Sequence, residues 1–296
     1  MELGRISTAM VTPFSSNGDI DYEKTAILIE HLIANGTDSL VVCGTTGESP
    51  TLTFKEKEAL LGFTLEKVNK RIPVIAGTGS NSTADSIEQT KMADLLGVDG
   101  IMLVTPYYNN PDQKGLYAHF SKIAGETKLP VLLYNIPGRS VVNMLPETTI
   151  ALSQVSNIRA MKEASGNLEQ MAAIIEGTDD GFALYSGDDG LTLPVLAIGG
   201  NGIISVAAHV VGNEMQKMVG AFLAGRTKDA AAMHRNLLPL FRALFSSPNP
   251  VPVKYALRKI GVDTGGVRLP LVGFEERNEI VDNAWETFMK KQNIYV

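Results

Sequence analysis

The chain is poor in the residues that build metal centres and disulfides. Among its 296 residues there is one cysteine, Cys43, one tryptophan and four histidines. A lone thiol cannot close an intrachain disulfide, which points to a reducing compartment, the cytoplasm. His31, His119, His209 and His234 are scattered without metal-ligand spacing, which argues against a metal-dependent aldolase or hydrolase. No window approaches the roughly 18 apolar residues that a membrane span needs. The opening MELGRISTAM lacks the basic start and apolar stretch of a secretory signal. Basic residues are the minority, 26 against 32 acidic ones, for a formal charge of −6. Nucleic acid and anionic membrane are therefore disfavoured as main partners. Nucleotide signatures are missing too: GTTGES has no GK[ST] ending, and GTGSNS has no third glycine of a dinucleotide fingerprint.

What the chain has is a rhythm. Apolar residues make up 44% of it, enough for a large core. Short β-branched runs recur about every 20 to 35 residues, each followed by a turn and a helix-like segment. They are STAMVTPF, SLVVCGTTGE, PVIAGTG, GIMLVTPYY, PVLLYNIPG, IRAMKEAS, FALYSGDD and NGIISVAAH. Asp21 precedes an apolar stripe of Ile27, Leu28 and Leu32 that ends near Gly36. Thr53 and Glu56 fit a capping box, and Pro146 suits a first helical turn. Eight such units predict a (β/α)8 barrel over residues 1–224, with an open parallel sheet as the alternative. From residue 225 to 296 the strand signals stop, and helices are expected over 227–246, 253–260 and 275–291.

In such a barrel the chemistry gathers at the C-terminal ends of the strands. Those ends are polar here: Thr45, Thr46 and Glu48; Tyr107 and Tyr108; Tyr134 and Arg139; Lys162; Gly187 and Asp188; Ser205. Period-two alternation puts Ile158, Ala160 and Lys162 on one strand face. A lysine there either snorkels to solvent, its commoner fate, or is a desolvated amine fit for a Schiff base. Tyr134, two positions beyond Leu132, should point inward, either as a proton carrier or as a core aromatic with its hydroxyl satisfied. Arg139 lies in a Pro-Gly turn, where it is an ordinary loop residue or a fork for a carboxylate. GTTGES is a plain βα turn or an anion cradle, and Cys43 reads as a buried small hydrophobe. A non-catalytic binder of keto acids on the same barrel is also open, although it would need no nucleophilic amine.

GTTGES, VTPYYN, YNIPGRS, MKEASGN, SGDD and GIISV, in register nearly end to end, resemble the dihydrodipicolinate synthase family, which belongs with the N-acetylneuraminate lyases. The resemblance implies a pyruvate-dependent class I aldolase on a (β/α)8 barrel with a helical extension. It implies no metal or organic cofactor, because a covalent imine of pyruvate on Lys162 serves as the electron sink. By position, Tyr134 matches the proton-moving tyrosine, and Thr46 the threonine linking it to a second tyrosine. Tyr108 matches that second tyrosine, supplied across a dimer interface. Thr45 and Thr46 match the holders of the pyruvate carboxylate. The Ile204 carbonyl and Gly187 match positions lining the site, and Arg139 matches the arginine that receives L-aspartate 4-semialdehyde. The PGR turn favours that aldehyde over the sugar acids of related aldolases. A tetramer built from two dimers is implied. The family's lysine-inhibited members carry histidines and a glutamate where this chain has Phe54, Lys57 and Asp85, which implies weak or absent feedback by L-lysine.

Overall fold

The computed structural model describes residues 3–274 and 277–292. Eight parallel strands close into a barrel in chain order: β1 (Ile6–Ala9), β2 (Ser39–Val42), β3 (Val74–Gly77), β4 (Gly100–Val104), β5 (Val131–Asn135), β6 (Ile158–Glu163), β7 (Ala183–Ser186) and β8 (Gly202–Ser205). The expected (β/α)8 barrel is thus the observed fold, and closure removes the open-sheet alternative. Helices α1 (Tyr22–Ala34), α2 (Phe54–Val68), α3 (Thr83–Leu96), α4 (Gln113–Ala124), α5 (Pro137–Ser140), α6 (Pro146–Ser153), α7 (Leu168–Gly177), α8 (Thr192–Ala197) and α9 (Ala208–Leu223) fill the crossovers. Three more follow: α10 (Thr227–Ala243), α11 (Val251–Lys259) and α12 (Glu279–Gln292). The expected start of the last helix at 275 falls outside the described residues. No helix among the described residues is long and apolar enough to cross a membrane.

Local chemistry sets the helix starts. Asp21 caps α1 by accepting from the Lys24 N–H, and Thr53 with Glu56 closes the capping box of α2. Each such cap contributes about 1 kcal/mol. The α1 stripe differs by one residue from its expected phase: Leu28, Ile29 and Leu32 are buried, whereas Ile27 is 59% exposed. The helical period of 3.6 turns that side chain away from the barrel.

The strands divide their side chains between two layers. Ala9, Val41, Ile75, Met102, Leu132, Tyr134, Ala160, Ala183, Tyr185 and Ile204 fill the lumen. Leu40, Val42, Val74, Ile101, Leu103, Leu133, Met161 and Ile203 pack outward against the helices. Ile158 departs from the expected alternation. It joins the outer layer beside Val131, while Ala160 and Lys162 face inward. The cause is an irregularity in pairing: Val131 lies opposite Ile158, but Leu132 lies opposite Ala160, so Arg159 bulges out exposed and the faces exchange.

The C-terminal helices share the outer core through Leu237, Leu240, Phe241, Val253, Leu257, Val281 and Phe288. They also reach the GTTGES turn. Lys254 Nζ lies 2.8 Å from Glu48 Oε1, both side chains fully buried. The ammonium also donates to the carbonyl oxygens of Thr12 and Gly266, at 2.7 and 2.6 Å. The Arg268 N–H donates to Glu48 Oε2 at 2.9 Å. Removing one member of a buried pair strands the other charge without water. Lys254→Met should therefore cost about 3–5 kcal/mol in chemical denaturation, and adding Glu48→Gln should restore most of it. A single variant as stable as the parent would show that the pair holds nothing.

Candidate active site

The strand ends bring most of the expected residues to one mouth of the barrel. Tyr134 and Lys162 are directly paired across β5 and β6, and Lys162 is paired on its other side with Tyr185 of β7. The Lys162 Nζ is 4.3 Å from the centroid of the Tyr134 ring. Both side chains are fully buried, and burial acts on them in opposite senses. It lowers the Lys162 amine to about 8, because desolvation disfavours the ammonium; nearby Asp189 opposes this and Arg139 adds to it. It raises the Tyr134 phenol to about 12, because desolvation disfavours the phenolate; Arg139 and a hydrogen bond from Thr45 pull the other way.

The threonine that acts on Tyr134 in this way is Thr45. Thr46 turns away, and its Oγ accepts from Asn249 Nδ2 of the C-terminal segment at 2.8 Å. The turn between β2 and α2 explains why these neighbouring threonines diverge, since Cys43 and Glu48 both take left-handed backbone, φ 58° and 56°, and strand alternation does not continue through it. Glu48, a strand-end candidate, is likewise withdrawn into its pair with Lys254. Cys43 is buried in the core, and burial raises its thiol to about 12.

A cavity of about 230 Å³ opens on the Tyr134 side of the Tyr134–Lys162 pair, lined among others by Thr45, Lys57, Tyr107, Tyr134 and Arg139, with Lys162 itself outside its lining. Arg139, on the four-residue α5, also borders a second cleft of about 660 Å³ that runs past Gly187 and Asp188 to α10. Gly187 leaves space for the lysine: a Cβ there would stand 3.1 Å from Lys162 Cε and 2.7 Å from Ala164 Cβ. Ile204 is buried in the lumen. Tyr108 is not brought to this mouth; it is 94% exposed on left-handed backbone, φ 75°. Ser205 turns to Asp189, which sequence reasoning passed over in favour of its neighbour Asp188. The Asp189 carboxylate accepts from the Ser205 hydroxyl and from the N–H groups of Val206 and Ala207, at 3.2 and 3.0 Å. Burial still raises it to about 6. Nothing in SGDD distinguishes the two acids by pattern alone. Among the described residues no group of three or more His, Cys, Asp or Glu is placed to hold a metal ion.

Residues 2–284 match the model of the dihydrodipicolinate synthetase family. The chain belongs to this family. It is 58% identical to the 4-hydroxy-tetrahydrodipicolinate synthase of Bacillus velezensis, over 93% of this chain and 96% of that protein. Among solved structures it is similar to a dihydrodipicolinate synthase of Bacillus anthracis, with a TM-score of 0.94, 53% identity and 98% of each chain covered. It is also similar to the lysine-bound enzyme of Cyanidioschyzon merolae, with a TM-score of 0.95, 47% identity, and 97% of this chain and 98% of that one covered.

Lys57 Nζ donates to Gln89 Oε1 at 2.9 Å and lies on the cavity wall, where burial lowers its proton affinity. A cation on this wall disfavours any ligand that brings its own ammonium to it. Titration calorimetry with L-lysine should show no binding tighter than about 1 mM. Submillimolar binding would overturn this.

Proposed function

We propose that the chain catalyses the 4-hydroxy-tetrahydrodipicolinate synthase reaction, condensing pyruvate with L-aspartate 4-semialdehyde through an imine on Lys162. The carrying observation is the buried amine of Lys162 paired in register with the buried phenol of Tyr134. An amine attacks a carbonyl only when neutral, and desolvation supplies that state near neutral pH. Lys162 Nζ adds to the keto carbon of pyruvate, and the oxygen takes one proton released by the attacking amine and a second from Tyr134, then leaves as water. The protonated imine then draws electrons from the adjacent methyl group. Loss of a methyl proton gives an enamine, whose carbon attacks the aldehyde; the alkoxide that forms takes a proton from Tyr134, and attack of the substrate's own amine on the imine carbon closes the ring and frees Lys162. Tyr134, bonded to Thr45, carries protons at these steps. The Thr45–Thr46 turn receives the pyruvate carboxylate, Gly187 and the Ile204 carbonyl border the reacting carbon, and Arg139 receives the carboxylate of the aldehyde. No metal or organic cofactor enters this scheme.

Pyruvate followed by borohydride should add one reduced pyruvate adduct to the intact mass, mapping to Lys162, and Lys162→Ala should lose both adduct and turnover. Absence of the adduct sinks the reading. Because the amine is brought to about 8, kcat/KM for pyruvate should rise with pH up to about 8 and level off above it. A profile flat from pH 6 to 9 would show that the neutral amine is not the attacking form.

Tyr108 makes its contribution in an oligomer. A tyrosine 94% exposed on strained left-handed backbone is poorly explained by one chain alone. It completes a neighbouring subunit's proton relay, so the working unit is at least a dimer, and the family suggests a tetramer. Tyr108→Phe should lower kcat about 10-fold or more while leaving the pyruvate adduct intact. Full activity in a monomer at nanomolar concentration would contradict this.

A further inference from the structure

The residues that follow Tyr134 and Lys162 in sequence, Asn135 and Glu163, are also paired across β5 and β6 and face the opposite side of the sheet. Both are fully buried. Among the described residues Glu163 meets no cation there, and its partners are amides, the Ser165 hydroxyl and one backbone N–H. Asn135 Nδ2 donates to both of its oxygens at 3.1 Å, Ser165 N to Oε1 at 2.7 Å, and Gln170 Nε2 to Oε2 at 3.1 Å. Asn143 closes the circle, accepting from Asn135 Nδ2 at 2.8 Å and donating to Gln170 Oε1 at 2.9 Å. Asn135 Oδ1 accepts from the Met144 N–H at 3.0 Å. One carboxylate thereby joins β5, β6, α7 and the segment following α5, the short helix that carries Arg139.

A buried carboxylate without a counter-charge is costly, typically by several kcal/mol, and a neutral side chain could fill the space. A role in the fold alone does not explain the charge. Its position does, one peptide behind the lysine that must become a cationic imine and across the strand pair from the tyrosine that must hold a proton. We infer that Glu163 is a positioning residue for the proposed reaction: from the far side of the β5–β6 pair it holds the Tyr134 hydroxyl and the Lys162 amine in register and sets the field across them. The inference rests on the imine reading of Lys162.

The charges around Tyr134 define the test. Lys162 faces it from β6, Arg139 from α5 and Glu163 from behind, while Thr45 bonds its hydroxyl. A negative charge disfavours the phenolate, so Glu163 raises the tyrosine's proton affinity. The influences on Lys162 beyond burial come instead from Asp189 and Arg139. Removing the Glu163 charge should move one limb of the pH profile and leave the other.

Glu163→Gln is therefore compared with Gln170→Met, which weakens the same network but keeps the carboxylate. The Glu163→Gln enzyme should still trap pyruvate on Lys162 under borohydride. Its pyruvate KM should stay within about threefold and its kcat should fall about 10-fold, with the basic limb of kcat/KM for pyruvate moved to lower pH and the acidic limb unmoved. Gln170→Met should lower the Tm without moving either limb. A Glu163→Gln profile that superimposes on the parent's, whatever the change in Tm, overturns the inference. Should Glu163→Gln not fold, Glu163→Asp, which draws the charge back by one methylene, carries the same reading, and an unmoved basic limb again overturns it. Failure of the parent enzyme to trap pyruvate would instead refute the imine reading, which keeps the two failures distinct.

Discussion

Exclusion of water from the barrel lumen is the constraint on which this site depends. Desolvation disfavours charge of either sign, so one physical cause has opposite consequences for two neighbouring groups. It brings the Lys162 amine down to about 8, where a useful share is neutral, and lifts the Tyr134 phenol to about 12, where it stays protonated. A nucleophile ready to attack and an acid ready to donate arise from the same burial. Arg139 lowers the proton affinity of both, while Asp189 on one side and Glu163 on the other resist. These are adjustments to a setting that burial has already made.

Burial of this kind is worth little without register. The two reacting groups stand on different strands and meet only because β5 and β6 pair as they do, after the irregularity at Arg159. If the strand ran on from Ile158 by strict alternation, with no bulge at Arg159, Ala160 and Lys162 would face the helices and the amine would be lost from the lumen. The bulge is thus part of the site's construction, as is the missing side chain at Gly187, against which the lysine's methylenes pack.

Much of this was legible from the residues. Strands and caps could be read because each depends on neighbours in sequence: β-branched runs for the strands, Asp21, Thr53 and Glu56 for the helix starts. Lys162, Tyr134 and Arg139 could be placed because a barrel gathers its strand ends at one mouth. What escaped depended on contacts remote in sequence or on local backbone. Ile158 was put on the wrong face because the bulge exists only in relation to β5. Which of Thr45 and Thr46 lies toward Tyr134 could not be read from alternation, because residues 43 to 48 leave extended geometry. Asp189 could not be told from Asp188 until the N–H groups following β8 were seen to converge on it.

The bond from Asn249 to Thr46 gives the C-terminal helices a reason to exist near the chemistry. Thr45 can hold its bond to Tyr134 only if the turn that carries it is rigid, and a glycine-flanked turn with two left-handed residues is not rigid by itself. It is fastened from a distance: Asn249 bonds the Thr46 hydroxyl, and Lys254 and Arg268 receive Glu48 two residues later. Each link spans about two hundred residues of chain, which makes it invisible to any local reading. The polar residues of GTTGES therefore divide their work. Thr45 faces the cavity, while Thr46 and Glu48 turn back into the protein to hold it there. A helical extension that in composition looks like an appendage supplies the wall against which the active turn is set.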